Sequence, residues 1–171
     1  MSGRGGAGPR PGTLRFQAPL LDRLIDMSPE QSRDPVSSSG DSLAALRNGV
    51  RRDLEALLNA RRRWRSWPAS FTELATSPIG FGIPDFSAGA FNDAGQREEL
   101  RLEIEDTIRR FEPRFISVNV ALGTSDAALE SALRLRIDAI LHAEPAPEAI
   151  TFDTFFDPSL DEVIVLARDA S

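Results

Sequence analysis

The sequence predicts an α/β fold of the α+β kind, with a helical N-terminal half packed on a mainly antiparallel sheet formed by the C-terminal half. Three observations carry this expectation. Leu100, Ile104, Ile108 and Phe111 recur at helical spacing, with Glu98 and Glu99 ahead of them and Arg109 and Arg110 behind, the charge order that complements a helix dipole. Pro113 then disfavours the α region at Glu112 and has no N–H to donate, so this helix is expected to stop within a residue of Glu112. Beyond it Ile116, Val118, Val120 and Leu122 alternate with Phe115, Ser117, Asn119 and Ala121, the two-residue period of a half-buried strand.

A chain of 171 residues fits one domain with tails and is long enough to bury a self-sufficient core. It has no cysteine, which excludes disulfides, thiolate zinc sites and thiol nucleophiles, and it has no lysine. The one histidine, His142, excludes multi-histidine metal sites. A net charge of -6 argues against general affinity for nucleic acid or anionic membrane. No stretch approaches the ~20 apolar residues of a membrane span, and the first residues lack the apolar region of a signal peptide. These features together predict a soluble, cytoplasmic protein.

Residues 1–15, rich in Gly, Pro and Arg, read as a disordered tail, and 28–40 read as a linker. Between them, residues 16–27 form a short amphipathic segment carrying Phe16, Leu20, Leu21, Leu24 and Ile25. It cannot bury its apolar side alone, so Leu20, Leu21 and Leu24 are expected to dock on their own domain or on a protein partner. A single domain is expected over 41–168. In its first helix, capped by Asp41 or Ser42, Leu43, Leu46, Val50, Leu54, Leu57 and Leu58 follow a three-and-four spacing. Gly49 inside this helix costs about 1 kcal/mol relative to Ala, which suggests close packing or tolerance.

The helix is expected to close on ARRRWRSW, where Arg61, Arg62, Arg63 and Arg65 suit the negative end of its dipole and Trp64 and Trp67 pack on the core or a partner. Arginines interleaved with tryptophans can also stack single-stranded nucleic acid, but the cluster is short and the chain acidic. Residues 68–91 read as an ordered loop in which Gly80 and Gly82 are expected at positive φ around Phe81, stiffened by Pro78 and Pro84. Its glycines lack the spacing of a phosphate-binding loop. After a turn at 123–126, Leu133 to Leu141 fit a strand period and a helical stripe equally well. Ile150, Phe152, Thr154 and Phe156 alternate again, a turn follows at Asp157-Pro158-Ser159, and Val163 to Ala167 supply a last strand. An antiparallel sheet covered by helices from the first half is the economical packing.

Four ordered stretches, PLLDRL (19–24), VRRDLEALLNARR (50–62), GFGIPDFS (80–87) and IRRFEPR (108–114), resemble the TssE family of type VI secretion baseplate wedge subunits, related to the small, lysozyme-like wedge proteins of contractile-phage baseplates. The resemblance implies an α/β scaffold whose sheet begins just after the EPR motif, with a strand from about Ala132 to Leu141. It implies partners too: the wedge subunits TssF, TssG and TssK, and the sheath subunits TssB and TssC, onto whose first ring the sheet opens. It places such a protein in the cytoplasm, at a baseplate docked on the inner-membrane complex. Main-chain pairing at an apolar sheet edge is a physical means for sheath contact. Carried over from the family motif, Glu112, Pro113 and Arg114 are the positions expected to touch other wedge subunits; an intramolecular ion pair bracing the helix-to-strand break is the other reading of the same residues. Where the family usually carries Asn-Tyr-Gly-Leu-Pro-Asp, this chain has Gly80, Phe81, Gly82, Ile83, Pro84 and Asp85, and the usual Thr after Leu-Leu-Asn is Ala60.

The lysozyme-like label raises the alternative of a peptidoglycan-cleaving hydrolase, which needs two carboxylates across a sugar cleft. Among Glu103, Glu105, Glu112, Asp153 and Glu162, the first two lie two residues apart on a helix and do not face one another. Glu112 stands beside arginines that favour its charged form and make it a poor general acid. No catalytic residue, cofactor or metal is expected, and His142 is expected to be exposed or packed.

Overall fold

The computed structural model describes residues 24, 39–62, 67–68, 70–84, 93–123, 133–143, 146–157 and 162–168. The first helix, α1 (Ser39–Asn59), buries Leu46, Val50, Leu54, Leu57 and Leu58 along the expected stripe. It starts ahead of Asp41 and Ser42, which lie inside its first turn and do not cap it. It also ends sooner than expected. Asn59 is the last helical residue, and Arg61–Arg62 form a short strand, β1, paired in parallel with β2 (Ile83–Pro84). The reason is non-local: the Ile83 N–H donates to the Ala60 carbonyl at 3.0 Å, drawing the chain into extended pairing where local preference would have continued the helix. Arg61 still meets the helix end, donating from Nη1 to the Leu58 carbonyl at 3.2 Å.

The intervening loop contains a 3-10 helix (Thr72–Thr76). Of the two glycines expected at positive φ, Gly82 has it (φ 95°), and a Cβ there would collide with the Ala60 backbone. Gly80 is needed for space instead: a Cβ would lie 2.6 and 2.7 Å from the carbonyl oxygens of Ala75 and Leu74.

The second helix, α2 (Ala94–Phe111), begins ahead of Glu98 because the Asp93 carboxylate accepts a hydrogen bond from the Gln96 N–H at 2.8 Å. Its apolar stripe, Leu100, Ile104 and Ile108, is buried, and Glu112 closes it as expected.

Four antiparallel strands follow as a simple meander in the order β3 (Phe115–Leu122), β4 (Leu133–Leu141), β5 (Glu148–Asp157) and β6 (Glu162–Arg168). The segment with two possible periods is therefore a strand. Residues Leu133, Leu135, Ile137, Ala139 and Leu141 point into the core, joined by Ile150, Phe152 and Phe156 and by Val163 and Val165. Thr154 also faces inward, its hydroxyl donating to the Leu135 carbonyl at 3.1 Å. Both helices cover this one face.

The first strand departs from strict alternation. Phe115 pairs with Leu141 while Ser117 pairs with Ile140, so Ile116 is the extra residue of a bulge. Phe115 thereby packs on the core and Ile116, expected inside, is 55% exposed; Leu122, at the strand end, is exposed as well. The opposite sheet face carries Arg136, Asp138, Ile140, Phe155, Ile164, Leu166 and Arg168, none of them buried.

Because the obstruction at Gly82 is backbone and its φ is positive, Gly82→Ala is expected to lower unfolding free energy by about 2 kcal/mol, read by urea denaturation.

Candidate functional site

The three-residue link between α2 and β3 gathers the strongest polar contacts of the molecule. Glu112 is 5% exposed. Its Oε1 accepts from Arg114 Nε at 2.6 Å and from the Arg114 backbone N–H at 3.2 Å, and its Oε2 pairs with Arg114 Nη2. The same Nη2 reaches Asp53 Oδ2 on α1 at 2.7 Å. Arg114 thus joins both helices to the start of the sheet, while its carbonyl accepts from the His142 N–H at 2.8 Å at the end of β4. Burial alone would lower the pKa of Arg114, but Glu112 and then Asp53 outweigh it and hold the guanidinium above its ordinary value. The motif therefore makes the intramolecular brace. Pro113, between the paired residues, is exposed.

Beside this junction the Phe81 ring meets Phe111 edge-on, with centroids 5.3 Å apart. Phe81 stands where the family motif has Tyr, and its contact is purely aromatic. Gly80 stands where the motif has Asn, and the 3-10 helix pressed against it leaves no room for a side chain. On the other side of the loop, buried Arg62 pairs with Glu103 at 2.5 Å and stacks over Trp67 at 5.6 Å. That stack is occupied from within the chain, so it offers no free platform for a base.

The sheet edges form the second feature. Along β3, Arg101 Nη1 donates to the Val120 carbonyl at 2.9 Å, Glu105 Oε2 accepts from the Val120 N–H at 3.1 Å, and Arg109 Nη2 donates to the Val118 carbonyl at 3.2 Å. These side chains also pair with one another, Arg101 to Glu105 at 3.0 Å and Arg109 to Glu105 at 2.6 Å. Along β6, Asn59 donates to the Val163 carbonyl and accepts from the Val163 N–H, both at 2.8 Å, and Arg51 reaches the Val165 carbonyl at 3.4 Å. Each helix thus satisfies part of one edge. Burial raises the pKa of Glu105, but the Val120 N–H, Arg109 and Arg101 together bring it below the ordinary carboxylate value.

The candidate acids are otherwise engaged. Glu103 is held by Arg62, Glu105 by Arg101 and Arg109, Glu112 by Arg114, and Asp153 by Arg168 at 3.6 Å; Glu162 is exposed on β6. Among the described residues no group of three or more His, Asp and Glu side chains converges as a metal site would. His142 is exposed. Of the amphipathic segment, Leu24 is helical and 73% exposed, while Leu20 and Leu21 lie outside the described residues, as do Trp64, the tail and most of the linker. Sequence reasoning missed Asp53, Asn59 and the edge contacts. The spacing of Arg101, Glu105 and Arg109 did signal ion pairing along α2, but not the strand beneath it.

A family model described as baseplate wedge protein gp25 matches residues 44–146, from α1 to just beyond β4, with the Glu112-Pro113-Arg114 junction inside the match. Comparison with curated proteins and with solved structures returned no match.

Two stability measurements probe this site. Arg114→Ala leaves a buried carboxylate without its cation, so it is expected to cost about 2–3 kcal/mol, and adding Glu112→Gln should recover part of the loss. The lowered pKa of Glu105 means that the folded chain binds fewer protons there than the unfolded chain. Its contribution is complete above the ordinary value of 4.5 and is lost as pH falls through the lower folded-state value. Glu105→Gln should therefore cost about 1 kcal/mol at pH 7 and flatten the loss of stability below pH 4.5, read by denaturation across pH.

Proposed function

The chain belongs to the gp25 family of baseplate wedge proteins, structural components of baseplates, and from that premise we propose that it is a non-enzymatic subunit of a type VI secretion baseplate wedge. In this reading it fills the place of TssE subunits: it binds the wedge subunits TssF, TssG and TssK and helps the first ring of the TssB/TssC sheath to assemble. It works in the cytoplasm, at a baseplate docked on the inner-membrane complex. No helix among the described residues is long and apolar enough to cross a membrane.

The observation that carries the reading is that the family match spans both helices and the braced junction between them. The acids that a hydrolase would need are mostly spent on arginines, and the surfaces they stiffen are those a scaffold presents. Glu112 is buried and fully engaged, so its part in any wedge contact is to fix Arg114 and Pro113. Pro113 is the exposed member that a neighbouring subunit can touch.

Pro113→Asp is therefore expected to change unfolding free energy by no more than about 1 kcal/mol while reducing co-purification with TssF–TssG by about tenfold. Unchanged co-purification with an intact fold would reduce the motif to an internal brace.

A further inference from the structure

Resting on the scaffold reading above, we infer that a strand donated by a sheath subunit adds to the C-terminal half of β6, from Val165 to Arg168, and not to β3. Which backbone groups point out of the sheet is settled by the side chains that hold them. Val163 gives both its N–H and its carbonyl to Asn59, so the residues in phase with it on β6, Val165 and Ala167, direct their groups outward too. By the same test the outward residues of β3 are Val118, Val120 and Leu122.

The two edges are held differently. On β3, three of the groups at Val118 and Val120 are bound by Arg109, Arg101 and Glu105, which are tied to one another. What is left, the Val118 N–H and the groups of Leu122, lies on either side of Val120. A strand arriving there must displace charged contacts before it forms its own. On β6, α1 hugs the edge only at its C-terminal end. Asn59 covers Val163, Arg51 reaches Val165, and one turn earlier Arg47 pairs with Glu148 at the start of β5, at 2.6 Å. The helix therefore crosses from the edge toward the sheet interior. Val163 and Val165 are buried, whereas Ala167, which points to the same face, is exposed.

Among the described residues nothing hydrogen-bonds to the Val165 N–H or to the N–H and carbonyl of Ala167, and these three groups are contiguous. An unpaired run of this kind is a template for strand addition.

The same stretch defines the occupant. On the open sheet face Ile164 and Leu166 are 41% and 50% exposed, and Arg168 is held by Asp153 at a loose 3.6 Å. An extended segment with apolar side chains beside Ile164 and Leu166 and a carboxylate beside Arg168 complements this edge in shape and charge.

The test is hydrogen exchange on the full chain, with and without the purified cognate TssB–TssC heterodimer. The amides of Val165 and Ala167 should slow by about tenfold or more on binding, and those of Val118 and Leu122 should not. Ala167→Pro, at an outward-facing N–H where an edge strand tolerates proline, should cut sheath capture by about tenfold, while Leu122→Pro should leave it unchanged. Protection confined to β3, or capture lost in Leu122→Pro and kept in Ala167→Pro, overturns the edge assignment and leaves the scaffold reading standing. Failure of the wild-type chain, assembled with TssF–TssG, to capture the heterodimer at all removes that reading and the inference with it.

Discussion

A four-stranded meander has two edges, each a row of backbone donors and acceptors that its own ladder cannot use, and the architecture here is arranged around holding them. Both helices lie on one face of the sheet, yet each reaches around one edge with polar side chains. Asn59 is suited to this because its amide is both donor and acceptor and so matches the N–H and carbonyl of a single residue, Val163. On the opposite edge the same division falls to a cation and an anion, Arg101 and Glu105, acting on Val120. The helices therefore do more than bury the apolar face of the sheet. They determine how much of its margin is accessible.

That arrangement requires α2 and β3 to meet at a fixed angle, which the link between them supplies. Pro113 limits the backbone of Glu112, and the Glu112 carboxylate folds forward onto Arg114, so the turn is closed by a contact between residues two apart. Asp53 then ties the turn to α1. An arginine is the residue for this place, since its planar fork serves Glu112 and Asp53 together, whereas a lysine ammonium would present a single point charge. With every cationic side chain an arginine, the chain has ample forks for such work.

Much of this was legible in the sequence, for reasons that can be stated residue by residue. The stripe of α2, its stop at Glu112 and the alternation through Phe152 and Phe156 are short-range patterns, readable from spacing alone. The brace between Glu112 and Arg114 was one of two readings for the same reason. The bulge at Ile116 was not readable, because it exists only in the register with β4. Nor was the end of α1 at Asn59, which depends on pairing with Ile83 and Pro84 far along the chain. Asp53 and Asn59 reach partners 61 and 104 residues away, and no local pattern marks them. The strand period of Leu133–Leu141 competed with a helical one and was separated from it only by resemblance to a known family.

The spacing of the side chains that bind β3 has a mechanical consequence. Four residues of a helix advance about 6 Å, close to the advance of two residues of a strand, about 6.6 Å. Arg101, Glu105 and Arg109 can therefore keep step with alternate strand residues running the other way, like the teeth of two racks. A pull along β3 loads these contacts and the ladder to β4 in parallel, so helix and strand transmit displacement as one body with no hinge between them.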